Sequence, residues 1–382
     1  MLAWRGRRSD FSLLICGQIR FASPVRSEVL RNVRRVVIKL GTGVLTDARK
    51  RPDPIQFAQL VAQVAALRSA GTEVVVVTSG AVGAGMGVLG FDKRPGTLAE
   101  LQACAAVGQS RLMALYESLF RPYDLNVAQV LLTHDDLADH TRHLNARNTL
   151  LTLLKRGVVP VINENDAVSV TELKFGDNDR LSALVASLLP ADLLVILTTA
   201  DGLIEDFGTP QARLLSVIEG IDGRVEGMAG GTTSSTAVGG MATKIQAAKI
   251  VLRSGIPLVI ASGRNFEGLR RILAGEDEGT LFVPGAAGLP SRKRWIAFFD
   301  RPKGILTVDD GAKAALIDNK KSLLAPGVKL IEGDFQAGDV VAVRGSDGID
   351  FARGLSSASA EQIRRGETHR QQVVHRDNLV IL

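Results

Sequence analysis

The chain has 382 residues, 46% hydrophobic and 23% charged, which excludes a disordered polypeptide and leaves room for two or three domains. No apolar run approaches the length of a membrane-spanning helix, and two cysteines, Cys16 and Cys104, match neither a zinc spacing nor a disulfide framework. The net charge of +6 resides in residues 1–35, with eight Arg against two acids, and the other 347 residues carry 38 of each sign. Aromatic residues, at 4%, are too sparse for the stacking platforms of single-strand nucleic-acid binders. The composition fits a reducing cytoplasm and predicts no membrane span.

Residues 1–32 are Arg-rich, acid-poor and without periodicity, and read as an unstructured extension or as sequence upstream of a true start, with the folded protein expected from near Val25 to Leu30. From Arg34 short β-branched runs alternate with amphipathic windows. The runs predict strands at Val36–Lys39, Val74–Val77, Val127–Leu131, Val159–Ile162, Leu193–Leu197 and Pro257–Ile260. Helical windows lie at Pro54–Ala70, Thr97–Leu119, Ala146–Arg156, Asp179–Leu188 and Met241–Ser254. This alternation predicts an α/β sandwich with a mostly parallel sheet over residues 33–290. Around residues 284–304 Pro, Gly and Arg accumulate, as in a linker. Short strands then follow at Gly304–Val308, Ser322–Leu324, Val328–Glu332, Val340–Arg344 and Gln372–Val374, so residues 291–382 predict a small, mostly β barrel.

The first strand ends in Lys39-Leu40-Gly41-Thr42-Gly43, placing a lysine and glycines at the carboxyl end of a strand, where open α/β sheets bind ligands. Glycine lets backbone N–H groups approach an anion, although a strand-end lysine snorkelling to water beside a glycine turn has the same local pattern. The second strand ends in Thr78-Ser79-Gly80-Ala81, which offers N–H groups and a hydroxyl to an anion. Gly85, Gly87 and Gly90 match GxGxxG but lie too far past the strand for a dinucleotide fingerprint. Ser79 is in no nucleophile elbow, and His134, His140 and His143 suggest no triad. Asn163-Glu164-Asn165-Asp166 and Gly176-Asp177-Asn178-Asp179 could hold a zwitterionic amino acid, or could be ordinary Asx turns. Gly239-Gly240-Met241-Ala242-Thr243-Lys244 opens a helix with free N–H groups and a lysine, while the Walker order GxxxxGK[ST] is absent. Two lysines, three glycine-rich turns and an acidic cluster without an activated nucleophile suit phosphoryl transfer.

With these residues in place the chain resembles the amino acid kinase family, in its glutamate-phosphorylating branch. The matching segments are VVIKLGTGVLT (36–46), VVVTSGAVGAG (75–85), AVGQSRL (106–112), LNARNTL (144–150), VPVINENDAV (159–168), KFGDNDRLSALVA (174–186), GGMATK (239–244) and RKRWI (292–296). The C-terminal barrel is similar to a PUA domain. The resemblance implies an amino acid kinase-like α/β/α sandwich that transfers the γ-phosphoryl group of ATP to the γ-carboxylate of L-glutamate, the first step of proline biosynthesis. It implies Lys39 and Lys244 on the ATP phosphates and Asp179 as the carboxylate holding both lysines. It assigns Ser79, Asp166 and Asn178 to glutamate, with N–H groups of Gly41, Gly80 and Ala81 facing the ligands. Gly41, Thr198, Thr199, Val238, Gly239, Gly240, Met241, Ala242 and Thr243 are the implied ATP contacts. Mg²⁺ is expected between the β- and γ-phosphates, with no metal site built from protein ligands alone. The acceptor carboxylate is itself a nucleophile at neutral pH, so no general base is needed.

Two departures from the family pattern are Thr198-Thr199, where Thr-Asp is common, and Val238 and Ala242, which lose hydroxyls; altered ATP affinity with retained chemistry is expected. The resemblance also implies a homo-oligomer in the cytoplasm and L-proline as an inhibitor. The alternatives are a kinase of N-acetylglutamate, aspartate or carbamate, or an RNA-binding role through the barrel. Residues 291–382 carry 15 basic and 12 acidic residues, a weak footprint for phosphate contacts, so RNA is not expected as a partner.

Overall fold

Val36, Val37 and Ile38, and again Leu193 through Ile196, have no solvent exposure. Successive strand residues point to opposite faces, so an unbroken buried run belongs to a sheet covered on both sides. The computed structural model describes residues 23–47, 51–169, 177–229, 240–285, 288–299, 302–367 and 372–382. Its strands are β1 (Arg35–Leu40), β2 (Glu73–Val77), β3 (Val127–Leu132), β4 (Val159–Glu164), β5 (Leu193–Thr198), β6 (Ile204–Glu205), β7 (Arg213–Leu214), β8 (Val217–Glu219), β9 (Leu258–Ser262) and β10 (Thr280–Val283). Eight of them form one sheet in the order β3-β4-β2-β1-β5-β9-β10-β8, with β6 and β7 paired apart as a hairpin. The strands from β3 to β9 are parallel, and only β10 runs against its neighbour β9.

The helices are α1 (Pro24–Leu30), α2 (Thr42–Leu45), α3 (Pro54–Ser69), α4 (Ala81–Val88), α5 (Leu98–Phe120), α6 (His134–Ala138), α7 (His140–Lys155), α8 (Asp177–Leu188), α9 (Gly223–Ala229), α10 (Met241–Arg253), α11 (Gly268–Leu273) and α12 (Ser291–Arg294). Local chemistry starts several of them: the Asp53 carboxylate accepts from the N–H groups of Ile55 and Gln56 ahead of Pro54, and Thr97 caps α5 through Glu100 N–H. Residues of α7, α8 and α10 build the core on one sheet face, and those of α3, α5 and α11 build the core on the other. The α/β sandwich with a mostly parallel sheet is therefore as expected. β6, β7, β8 and β10, each four residues or fewer, were too short to leave a sequence period.

Among the described residues regular structure begins at Pro24, close to the start expected near Val25 to Leu30 and inside the segment read as an extension. Residues 24–30 form α1, where Leu30 joins the core and Arg26 is fully buried. The Arg26 guanidinium donates to the carbonyls of Ser216, Glu278 and Gly279. An arginine that reads as solvated by composition here serves carbonyls that burial would otherwise leave without a donor.

α4 and α5 cross without room for a side chain. A Cβ on Gly108 would fall 1.8 Å from the Ala81 carbonyl oxygen, and one on Gly85 would fall 1.9 Å from that of Cys104. The sequence-level GxGxxG glycine at 85 thus serves helix packing, and that packing fixes the loop between β2 and α4.

The Pro-, Gly- and Arg-rich stretch expected as a linker is structured where described. α12 runs into a single π-helical turn, Trp295–Phe299, in which Ile296, Ala297, Phe298 and Phe299 are buried. The His143 ring meets the Phe299 ring edge-on at 4.6 Å. Beyond it lie β11 (Gly304–Val308), α13 (Asp310–Ile317), β12 (Leu323–Leu324), β13 (Val328–Gly333), β14 (Val340–Arg344), β15 (Asp350–Ser356), α14 (Ala360–Arg364) and β16 (Gln372–Ile381). They form a curled sheet in the order β12-β16-β15-β14-β11-β13, an open half-barrel around Leu306, Phe335, Val341, Val343 and Val374. β15 had escaped the sequence reading because Ala352-Arg353-Gly354 interrupts its apolar alternation.

Arg26→Met is expected to cost about 3 kcal/mol, since buried acceptors left unpaired cost roughly 1–3 kcal/mol each. A lower urea midpoint at unchanged slope is the expected result. Gly108→Ala is expected to destabilise by about 3 kcal/mol by forcing α4 off α5, with heat denaturation as the measurement.

Candidate active site

Lys39 is the penultimate residue of β1, Asp179 lies in the first turn of α8 and Lys244 in the first turn of α10. All three are buried, Asp179 completely. The Lys39 ammonium is 2.6 Å from Asp179 Oδ1 and the Lys244 ammonium 3.2 Å from Oδ2, which also accepts the Thr243 hydroxyl at 2.6 Å. A carboxylate taken out of water resists ionisation unless countercharges and donors surround it. Burial pushes the Asp179 carboxyl upward, but Lys39, Lys244 and the hydrogen bonds outweigh it and hold the group below the ordinary aspartate range. Burial lowers Lys244 from the ordinary lysine value, with Asp179 opposing and Lys39 adding to the fall. Two buried ammonium groups thus converge on one carboxylate, an arrangement that can receive an anion.

Glycine keeps the approach to that charge open. A Cβ on Gly41 would stand 3.7 Å from Lys39 Nζ and 3.1 Å from the Leu197 carbonyl oxygen. Its N–H does not face a ligand as expected: it donates to the Leu197 carbonyl at 3.0 Å, completing the pairing of β1 with β5. Gly41 therefore matters for lacking a side chain. Thr198 ends β5 and accepts from Gly263 N–H, while the exposed Thr199 carries its methyl against Gly43. Gly240, Met241, Ala242 and Thr243 cap and open α10 beside the lysines, with Gly240 as the N-cap. Val238 and Gly239 lie outside the described residues.

A second polar cluster adjoins the first. The Asn178 side-chain amide donates to Ser79 Oγ at 3.2 Å and to Asn163 Oδ1 at 3.1 Å, and Asn163 Nδ2 donates to Gln109 Oε1 at 2.9 Å. Ser79 ends the β2 loop, where Gly80 adopts φ 100°, a left-handed conformation that glycine enters without strain before α4 begins at Ala81. Ala81 is in the first turn of that helix, whose leading N–H groups have no intrahelical acceptor. Asp166 lies half-buried in the turn after β4, its charge facing Arg94. The structure thus joins Ser79 to Asn178 by a direct hydrogen bond and sets Asp166 against Arg94. Gln109 was missed as a site residue: it is a buried amide whose only signal was its place in the motif at 106–112, whereas Asn163 stood in the tetrad already read as a candidate amino-acid site.

Asn178 and Asp179 are consecutive, and successive helix positions point about 100° apart. One helix start thereby directs an amide into the uncharged cluster and a carboxylate into the lysine pair. This arrangement can hold a polyanion at the lysines and a small polar molecule beside it.

The model for the amino acid kinase family matches residues 34–262, and that for the PUA domain matches residues 304–377. A glutamate 5-kinase from Geobacter sp. (strain M21) is 48% identical over 373 residues, covering 94% of this chain and 100% of the relative. One from Geobacter sulfurreducens is also 48% identical with the same coverage, and one from Methylococcus capsulatus is 47% identical, covering 91% of this chain and 97% of the relative.

Because the Asp179 carboxyl is lowered by folding, its pairing stabilises the protein fully above the ordinary aspartate pKa near 4 and loses that contribution as pH falls through the lower folded-state value. Asp179→Asn is expected to cost about 3–5 kcal/mol at pH 7, the usual result of removing one partner from buried charges. Denaturant unfolding from pH 7 down to pH 2 is expected to show the gap between the two proteins closing below about pH 4.

Proposed function

The chain belongs to the amino acid kinase family, and on that footing we propose that it transfers the γ-phosphoryl group of ATP to the γ-carboxylate of L-glutamate, yielding L-glutamyl 5-phosphate and ADP, the first step of proline biosynthesis. The observation that carries the reading is the consecutive pair Asn178 and Asp179, which couples a small-molecule pocket to a buried lysine pair. The glutamate 5-kinase relatives supply the acceptor.

Lys39 and Lys244 would meet the β- and γ-phosphates. Asp179 holds the two ammonium groups and takes no proton from the acceptor. The acceptor γ-carboxylate, ionised at neutral pH, forms the new P–O bond as the bond to the ADP oxygen breaks. Catalysis then consists of positioning and charge neutralisation, which phosphoryl transfer chiefly requires. Ser79 and Asn178 would fix the acceptor, and Asp166 is suited to its ammonium group. Mg²⁺ fits as part of the nucleotide substrate. The described residues contain no group of three or more metal-ligating side chains, and Asp179 already has three donors. Magnesium characteristically keeps phosphate and water ligands. We also assign L-proline to the pocket around Asp166 and Asn178 as a competitor, and the enzyme to the cytoplasm as a homo-oligomer.

The test is ADP release with MgATP and L-glutamate, N-acetyl-L-glutamate or L-aspartate. Glutamate-dependent turnover, suppressed by L-proline, is expected; turnover with another acceptor alone would overturn the acceptor and keep the phosphate site. Lys244→Ala is expected to lower kcat roughly 10²–10³-fold. Asn178→Ala is expected to raise the KM for glutamate about tenfold with little change for ATP, the signature of lost ground-state binding.

A further inference from the structure

Arg180 follows the Asn178-Asp179 pair directly and leaves the site. Its Nε donates to His134 Nε2 at 3.1 Å, and a terminal nitrogen donates to the Phe298 carbonyl at 3.2 Å. His134 in turn presents Nδ1 3.8 Å from Glu164 Oε2, a buried oxygen with no hydrogen bond among the described residues. Glu164 N–H faces Asn178 Oδ1 at 3.4 Å. Arg180 is thus tied at once to His134, which neighbours Glu164 beside Asn178, and to the Phe298 carbonyl.

Phe298 belongs to the buried π-helical turn that leads into the C-terminal half-barrel. A π-turn displaces carbonyls from the regular helical ladder, and buried carbonyls need donors. Here two successive carbonyls are taken by two arginines from opposite sides. Ala297 accepts from Arg353 of β15 at 3.0 Å, and Phe298 accepts from Arg180 of α8. Among the described residues one hydrogen-bonded path from the half-barrel toward the site runs through Arg353, the backbone at 297–298 and Arg180.

We propose that Arg180 is a positioning residue that references the first turn of α8, and with it Asn178, to the turn carrying the C-terminal half-barrel, so that docking of the half-barrel through Arg353 sets the geometry of the acceptor pocket. The proposal rests on the reading of that pocket given above. Arg180 touches neither substrate in this scheme. It acts through the backbone at 177–179, and Arg353 acts through Arg180.

The test compares Arg180→Met, Arg353→Met and the double variant with the full-length wild type in two ways. Each single variant is expected to raise the KM for glutamate about fivefold while leaving that for ATP within about twofold, with the double variant no worse than Arg180→Met. His134→Gln, which keeps an acceptor for Arg180, is expected to resemble wild type, and His134→Leu to resemble Arg180→Met. Independently of turnover, hydrogen exchange of the peptide spanning residues 177–184 is expected to quicken about fivefold in Arg353→Met, although Arg353 lies in the half-barrel. Wild-type exchange at 177–184 in Arg353→Met would overturn the proposal, as would glutamate KM effects that multiply in the double variant. Lack of wild-type turnover with glutamate would overturn the acceptor reading and leave the exchange result to decide the coupling.

Discussion

A single carboxylate without solvent exposure, Asp179, sits between two ammonium groups that are themselves buried, and the surrounding fold is arranged to keep it there. The desolvation of such a group is worth several kcal/mol, and only close, well-directed partners offset it. Those partners come from β1 and α10 while α8 carries the carboxylate, so the central strand and both helices must hold their relative positions for the charges to meet. The same demand explains why the helices that supply Asp179 and Lys244 also carry much of the core on that sheet face. Two ammonium groups meeting on one carboxylate suit the site to an anion.

Around this centre the missing side chains matter as much as those present. Gly41 lets β1 lie close against the Leu197 carbonyl, and Gly85 and Gly108 let α4 lie directly on α5, which settles where the Ser79-Gly80-Ala81 loop can stand. The polar relay from Gln109 Oε1 through Asn163 and Asn178 to Ser79 links the amides in a chain, so each member orients the next. One helix start thereby serves both the charged cluster and the amide cluster.

The N-terminal helix and the inter-domain turn show composition yielding to context. Arg26 belongs to the most basic segment of the chain and is nevertheless among its most buried residues, because carbonyls at 216, 278 and 279 converge on it. Residues 295–299 follow a run of Arg and Lys and still bury Ile296 through Phe299, with arginines from both halves of the molecule on the adjoining carbonyls. A second tie, from Arg253 at the end of α10 to the Ile381 carbonyl, joins the lysine-bearing helix to the last strand of the half-barrel.

Much of the architecture was legible in one dimension. Strands β1, β2, β4, β5 and β9 announced themselves as apolar runs because they are buried on both faces, the half-buried edge strand β3 kept enough apolar residues to be read with them, and Lys39, Asp179 and Lys244 stood out as charges at the ends of apolar elements, where ligands meet open sheets. These are consequences of local pattern, which the sequence by itself determined. Tertiary structure decided the rest: that Gly41 N–H would pair with Leu197, that Gln109 and Asn163 would meet, that Arg26 would find carbonyls about 190 and 250 positions away, and that Arg180 and Arg353 would grip neighbouring peptides. The physical reason is the same in each case. A hydrogen-bond partner supplied by a distant backbone leaves no periodicity and no motif, since any residue carries the same carbonyl, and only the folded chain determines which one is near.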